Sequence, residues 1–216
     1  MSKFKIGLYI FIGSPFLYLL IGYFGFTTSP YQCENCIDEI TVHFIHGSYP
    51  KKGCTDQRER VGGLLGGHVE IEIDSFMYGF EFNDQNNIHI FPRKKADLFN
   101  SKFTMKSISD WTIETVYDKI TSITIPLASQ KKNELVAKLQ MNQMDMPYDY
   151  SFFGMRCASA TYEDISNLGI LAEKSRFQYI VNAFYPRQLR KRMVQWAKYN
   201  NLKVGYKEGI DCRVWE

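Results

Sequence analysis

The longest apolar pattern in the chain lies at its amino terminus. Residues 6–26 carry no charged side chain, and a helix of that length can cross a bilayer. Two lysines precede the run and acidic residues follow it, so the positive-inside rule places the amino terminus in the cytoplasm. We therefore expect a single-pass signal anchor over residues 1–28, a linker over 29–39, and a domain over 40–216 on the extracytoplasmic side, periplasmic or at the cell surface.

Two other interpretations of this apolar run stay open. A cleaved signal peptide normally has a shorter apolar region and a small-x-small cleavage site, and no convincing site occurs near Thr27–Ser29. A buried helix of a soluble domain is the other alternative, but an uncharged run of this length at a chain terminus is atypical of one. Pro15 would kink a helix here and is tolerated within a membrane span.

Alternation of apolar and polar residues predicts strands in the first half of the domain. In residues 68–74, Val, Ile and Ile alternate with His, Glu, Glu and Asp, so the two sets point to opposite faces of a strand. A turn follows, and residues 77–82 form the hairpin partner. The other strand candidates are residues 40–46, 88–91, 111–116 and 120–126, while residues 94–110 indicate an excursion rich in Lys, Asn and Ser.

Helical spacing of apolar residues dominates the second half. Ser129 is the expected N-cap of a helix that runs through Met141, and Pro186 suits the first turn of a later helix. The expected inward side chains are Leu135 and Leu139 in the first helix and Leu189, Met193 and Trp196 in the second. The second helix is also basic, which fits either contact with anionic lipid headgroups or wall polymer, or an ordinary solvated face.

A further helix is predicted to begin just before Cys157. Its apolar positions at helical spacing are Ala158, Thr161, Tyr162, Ile165 and Leu168, and Gly169 suits a left-handed cap. Cys157 then lies in the first helical turn, where free backbone N–H groups and the helix dipole lower the pKa of a thiol. Such a cysteine is a candidate nucleophile, whereas most free cysteines are small buried apolar residues.

His68 is the candidate partner of that thiol. A glycine-rich stretch, residues 61–67, precedes it and leaves room for another segment to approach the imidazole. A lone histidine at the start of a strand is usually structural. A histidine paired with a cysteine at a helix start, however, is the minimum needed for a thiolate–imidazolium nucleophile.

Together these motifs resemble the papain-like NlpC superfamily. Gly66-Gly67-His68-Val69-x-Ile71 is followed about 90 residues later by Tyr148-Asp-Tyr150 and then Cys157-Ala-Ser. The cysteine helix comes first in the usual members, so the reversed order resembles the circularly permuted branch, which includes lecithin:retinol acyltransferase-like proteins. Over roughly residues 40–185 the resemblance implies an α+β papain-like fold, with an antiparallel sheet packed on the cysteine helix, and a cysteine hydrolase or acyltransferase.

A third catalytic group would orient the imidazole and fix its tautomer. The resemblance implies a polar residue on the neighbouring strand. If cross-strand partners sum to 149, His68 lies opposite Glu81, and if they sum to 151 it lies opposite Asn83. Glu81 is our candidate, with Glu70 and His89 as alternatives.

The expected function is hydrolysis or acyl transfer on an amide or ester of a wall peptide or a lipid. Cys157 would attack the carbonyl, His68 would move the proton, Glu81 would hold His68, and Tyr148 and Tyr150 would line the substrate groove or donate a hydrogen bond. No cofactor or metal is expected. The competing function is a catalytically inactive binding or envelope-structural module that keeps the same fold.

The net charge and the number of cysteines bear on the class of partner and on the disulfide bonds. The chain has five cysteines and a net charge of +3, which is too small a charge to argue for nucleic acid. In an oxidising compartment an odd count leaves at least one cysteine free or paired between chains, and Cys157 is the one expected to stay free. The remaining four are Cys33, Cys36, Cys54 and Cys212. Disulfides are preferred for them over a four-thiolate zinc site, because their spacing is irregular.

Overall fold

A six-stranded antiparallel sheet is the centre of the domain. The computed structural model describes residue 26 and residues 29–54, 66–84 and 87–216. Its strands are β1 (Asp38–Ile45), β2 (Ser48–Pro50), β3 (His68–Ile73), β4 (Phe76–Phe82), β5 (Ser101–Ser107), β6 (Ile120–Leu127), β7 (Val204–Lys207) and β8 (Arg213–Trp215). The order in the main sheet is β5-β4-β3-β1-β6-β7, and β2 pairs with β8 in a separate ribbon.

The helices lie mainly on one side of this sheet. Those with defined bounds are α1 (Ile108–Glu114), α2 (Ser129–Met144), α3 (Cys157–Asn167), α4 (Arg176–Asn182) and α5 (Pro186–Tyr199), with a short 3-10 turn at Ala96–Leu98. The mixed α+β class with an antiparallel sheet is thus confirmed. Contacts of α3 with β3 and β4 place the cysteine helix on the sheet, and α5 packs on α3.

Strand alternation explains the main core. The apolar residues of β1, β3 and β6 that share one face are buried, and they include Val42, Phe44, Val69, Ile71, Ile73, Ile123 and Ile125. The predicted inward residues of the helices, including Leu135, Leu139, Leu189, Met193 and Trp196, join the same cluster. Burial of this continuous apolar surface is the main source of stability and fixes where α3 sits on the sheet.

The opposite face of the sheet carries a smaller core. Ile45, Met77, Trp111 and Ile120 form it, and Trp111 belongs to α1. This helix corrects the predicted strand over residues 111–116. Ser107 caps α1 by accepting a hydrogen bond from the Asp110 N–H, and that local cap outweighs the β-forming tendency of the Trp, Thr, Ile and Val residues.

Two further expectations about this region are wrong. Residues 88–91 do not form a third strand, because only His89 makes an isolated bridge, to Ser151. The true neighbour of β4 is β5, which lies inside the predicted excursion of residues 94–110. The sequence of β5 alternates Ser, Phe and Met with Lys and Thr, as a strand does. Its lysines are the reason that its composition indicates a loop.

Four cysteines are paired as expected. Cys33 bonds to Cys36 and Cys54 bonds to Cys212, while Cys157 is the free cysteine. The second disulfide ties the segment after β2 to the β8 end of the chain, next to the β2–β8 ribbon.

The predicted membrane anchor falls outside the described residues, apart from Phe26. The Phe26 ring packs edge-on against Tyr162, with ring centroids 5.1 Å apart. Among the helices of the described ranges, none has the length and apolarity needed to cross a membrane.

Candidate active site

One end of the sheet brings His68 to the beginning of α3. Gly67 holds the chain in the left-handed region, with φ of +70°. A Cβ at this position would overlap the Ile45 carbonyl oxygen, so the close approach of two backbones requires glycine here. His68 then enters β3 opposite Ile45 of β1.

The other partner is placed by the start of α3. Arg156 is the residue before the helix, and its N–H donates to the Ser159 hydroxyl at 2.8 Å. Cys157 follows as the first helical residue and is 3% exposed. The Ala158 N–H donates a hydrogen bond to its sulfur and lowers the pKa of the thiol, as expected at a helix amino terminus.

Cys157 and His68 form a hydrogen-bonded, charge-coupled pair. Burial raises the pKa of the Cys157 thiol, but the hydrogen bond and positive charge of His68 and the charge of Arg156 outweigh burial, so the net pKa is lowered. Burial likewise lowers the pKa of His68, but the Cys157 thiolate, Glu70 and Glu81 raise it to about 9. Both directions favour the thiolate–imidazolium form of the pair over the neutral form.

The second nitrogen of His68 faces two carboxylates. His68 Nε2 lies 3.7 Å from a Glu81 oxygen and 3.9 Å from a Glu70 oxygen. This nitrogen is buried and makes no hydrogen bond within the described residues. At these two distances, a direct hydrogen bond from His68 needs a small movement of the carboxylate, and a water molecule could bridge instead. Each carboxylate already stabilises the imidazolium by its charge.

The strand register places Glu81 at this end. Glu70 pairs with Gly79 and Ile71 with Tyr78, so cross-strand partners sum to 149, the register that puts His68 opposite Glu81. The ladder between β3 and β4 ends at the Glu70–Gly79 pair, two residues before His68. Asp74, with φ of +54°, forms the tight turn that sets this register.

The sequence pattern offers Glu70 only as an alternative to Glu81, but the structure places Glu70 in the site as well. It is buried, accepts a 2.5 Å hydrogen bond from Trp111 Nε1, and lies 3.2 Å from Lys106 Nζ. A Cβ on Gly79 would come within 3.1 Å of the Glu70 Cγ, so the missing side chain makes room for Glu70. A glycine within a strand is the signal for such a close approach.

Tyr150 contacts the pair, whereas Tyr148 packs in the core beside it. Burial and the negative charge of Cys157 raise the pKa of Tyr150 well above its usual value, and its hydroxyl is hydrogen-bonded to the sulfur. Tyr148 packs edge-on against Phe80 with ring centroids 5.1 Å apart, and its hydroxyl lies near the carboxylates of α3. None of the described interactions of Tyr148 involves Cys157 or His68.

His89, an alternative third residue, belongs to a different cluster. Its Nδ1 lies 2.6 Å from the buried Asp149 carboxylate. That carboxylate also accepts hydrogen bonds from the N–H groups of Arg93 and Asn100, at 2.8 and 2.7 Å. His89 therefore fixes the loop before Cys157 and does not orient His68.

Among the described residues, His68, Glu70 and Glu81 form a group of side chains that offer metal-ligand atoms. Their three ligand atoms lie within 4.8 Å of one another. Lys106 is 3.2 Å from Glu70, and Lys102 is 3.7 Å from Glu81, so each carboxylate already has a cation beside it. This charge balance fits support of an imidazolium better than coordination of a divalent ion.

Comparison with known proteins adds one weak similarity. No protein-family model and no curated protein matches the chain. A crystal structure of the type VI secretion system effector TseH is similar, with 9% sequence identity, 79% of this chain and 98% of that chain covered, and a TM-score of 0.42. A similarity at this level does not bear on function, which has to be argued from the site itself.

Proposed function

We propose that the protein is a membrane-anchored, extracytoplasmic cysteine hydrolase or acyltransferase of papain-like type. The observation that carries the proposal is the thiol of Cys157 at a helix start, hydrogen-bonded to a histidine that is itself flanked by two carboxylates. This arrangement is what an activated cysteine nucleophile needs. Its substrate is an amide or ester, drawn from wall peptide or lipid.

The first half-reaction follows from the charges. The Cys157 thiolate attacks the carbonyl carbon, and the electron pair of the C=O bond moves to oxygen. First-turn N–H groups of α3 have no partner within the helix, and the Cys157 N–H meets the oxyanion there. As the oxyanion collapses, the bond to the leaving nitrogen or oxygen breaks, the leaving group takes the His68 proton, and a thioester remains on Cys157.

The second half-reaction restores the thiolate. Water, or the hydroxyl or amine of an acceptor, gives its proton to the now neutral His68 and attacks the thioester carbonyl. Collapse releases the acid or the new acyl product and leaves Cys157 as thiolate beside protonated His68. Glu81 and Glu70 stabilise the cation in both steps, and the Tyr150 hydroxyl donates to the sulfur.

A trapped acyl-enzyme tests this function. The full chain is mixed with a p-nitrophenyl ester, quenched in acid, and analysed by intact mass and peptide mapping. We expect one acyl group, located on Cys157, and a burst of p-nitrophenol. Both should be absent in Cys157→Ala and slowed at least tenfold in His68→Ala.

His43→Ala is the matched control for the histidine. His43 also lies in the sheet and contacts a glutamate, with Nε2 2.6 Å from Glu72, but its described contacts do not include the thiol. In the His43→Ala variant, Cys157 should be acylated at the wild-type rate. Acylation that persists in folded Cys157→Ala, or that is slowed equally in the two histidine variants, would refute the proposal.

A binding module is the second candidate, and the burial of Cys157 favours it. A thiol that is 3% exposed is accessible to substrate only if the neighbouring segments move. If the folded protein leaves Cys157 unreactive towards both ester and iodoacetamide, while the unfolded chain reacts, the module is the better description.

A further inference from the structure

Four exposed apolar side chains are carried by two segments that are hydrogen-bonded to each other, one of them the loop that leads into Cys157. They are Ile90, Phe91, Phe152 and Phe153, with exposed fractions of 64, 68, 43 and 52%. We call this set the aromatic rim. Phe91 stacks on Phe153 with ring centroids 5.4 Å apart, and Phe152 meets Phe153 edge-on at 4.8 Å. Exposed apolar residues scattered singly are ordinary, but a contiguous set points to a contact surface.

The rim is built on a fixed backbone. The N–H of Phe152 donates to the His89 carbonyl at 2.8 Å, and the N–H of Phe153 donates to the Ile90 carbonyl at 2.9 Å. Beneath them the buried Asp149 accepts three hydrogen bonds, from His89, Arg93 and Asn100. These bonds join two segments about 60 residues apart in sequence and hold their apolar side chains outward together.

The rim borders the candidate active site. The Phe152 ring lies 5.6 Å from the guanidinium carbon of Arg156, the residue directly before Cys157. Phe152 also meets Phe184 edge-on at 5.6 Å, and that ring carries Arg156 at 3.6 Å. A surface that engages the rim therefore lies next to the first turn of α3.

The charge beside the rim is positive. Arg93, Lys94 and Lys95 follow Phe91 after one proline, and all three are exposed. Asp97 is the acidic residue within the same exposed segment. Apolar side chains next to a short run of cations fit a surface that is apolar below and anionic on top, which describes the interface of an anionic bilayer.

We propose that the aromatic rim is a docking surface for an anionic lipid bilayer. The four apolar side chains enter the interfacial region, and Arg93, Lys94 and Lys95 contact lipid phosphates. A second copy of the chain fits less well, because a self-complementary contact would bring the same cations face to face. Membrane binding by the rim does not depend on the chemistry of Cys157. The further conclusion, that the catalytic site faces the lipid, rests on the proposed function.

The test uses full-length chain and a tryptophan reporter in the rim. Phe91→Trp protein is mixed with phosphatidylglycerol vesicles whose acyl chains are brominated, because bromine quenches only a tryptophan that enters the bilayer. Tyr206→Trp is the matched control, since Tyr206 is 61% exposed but lies on β7 at the far edge of the sheet. Native tryptophans and the amino-terminal apolar run are common to both variants.

We expect Phe91→Trp to be quenched at least twice as strongly as Tyr206→Trp. Adding Lys94→Glu and Lys95→Glu, or replacing the lipid with brominated phosphatidylcholine, should reduce the difference by half or more. Equal quenching in the two variants overturns the proposal. So does a concentration-dependent blue shift of Phe91→Trp without vesicles, which would assign the rim to a protein contact. Acylation of Cys157 in detergent solution reports the proposed function separately.

Discussion

His68 lies between a thiol on one side and two carboxylates on the other. The sum of these contacts keeps a histidine charged in a site where burial alone would discharge it. The two carboxylates differ in setting. Glu70 has a 1% exposed side chain and is fixed by Trp111, whereas Glu81 has a 28% exposed side chain near Lys102. Charges interact more strongly where water is excluded, so Glu70 should contribute more.

Separate substitution of the two carboxylates measures their contributions. Glu70→Gln and Glu81→Gln should each move the pH dependence of Cys157 alkylation upward, because each removes negative charge that raises the pKa of His68. We expect the larger shift for Glu70→Gln. Glu72→Gln is the control, since Glu72 lies on the same strand but contacts His43. A shift in Glu81→Gln with none in Glu70→Gln would make Glu81 alone the orienting residue.

The sequence predicts the positions of Cys157 and His68 better than it predicts the residues around them. Helical spacing placed Cys157 at a helix start, and glycine before an alternating strand placed His68 at a strand start; both positions are observed. The role of Glu70 depends on Trp111 and Lys106, which come from α1 and β5. The sequence pattern predicts a strand where α1 forms and an excursion where β5 forms, so it does not predict the burial of Glu70, although Gly79 marks the space that Glu70 occupies.

At the scale of elements, the attachment of α3 to α2 includes a buried ion pair. Asp164 of α3 lies 2.8 Å from Lys138 of α2. Burial raises the pKa of Asp164 to about 6, and Lys138 only partly opposes that shift. Helix spacing predicts that Asp164 is on α3, but the meeting of these two side chains depends on helix packing, which no local pattern encodes.

This pair makes stability depend on pH in a defined direction. An acid whose folded pKa is raised stabilises the fold when protonated, so its contribution is present below about pH 4 and is lost as the pH rises through about 6. In Asp164→Asn that loss is absent. Relative to wild type, the unfolding free energy of the variant should rise by roughly 2–3 kcal/mol between pH 4 and pH 7, measured by urea denaturation. A constant difference between the two proteins would contradict the assignment.

At the scale of the molecule, the Cys54–Cys212 disulfide joins distant parts of the chain, with a sequence separation of 158. Closing so long a loop restricts the unfolded chain strongly. The parity of five cysteines predicted that one thiol stays free, and the helix position of Cys157 predicted which one. Partner choice among the other four required the β2–β8 ribbon, a long-range pairing that composition does not reveal.

Removal of that disulfide should affect stability without affecting the site. Cys54→Ser combined with Cys212→Ser should lower the unfolding free energy by about 2–4 kcal/mol in urea denaturation. The pH dependence of Cys157 alkylation should stay at its wild-type position, because no described site residue contacts either cysteine. A change in that pH dependence would show that the ribbon helps to form the site.

The central claim is that His68 and Cys157 act as one charged pair. Because the other four cysteines are paired, the rate of iodoacetamide modification of the non-reduced protein reports Cys157. We predict that the rate rises with a midpoint well below the ordinary cysteine pKa of about 8.5, and that His68→Ala moves the midpoint upward by about one pH unit or more. His43→Ala should leave it in place. An unchanged midpoint in folded His68→Ala protein would contradict the pair, and with it the proposed enzyme.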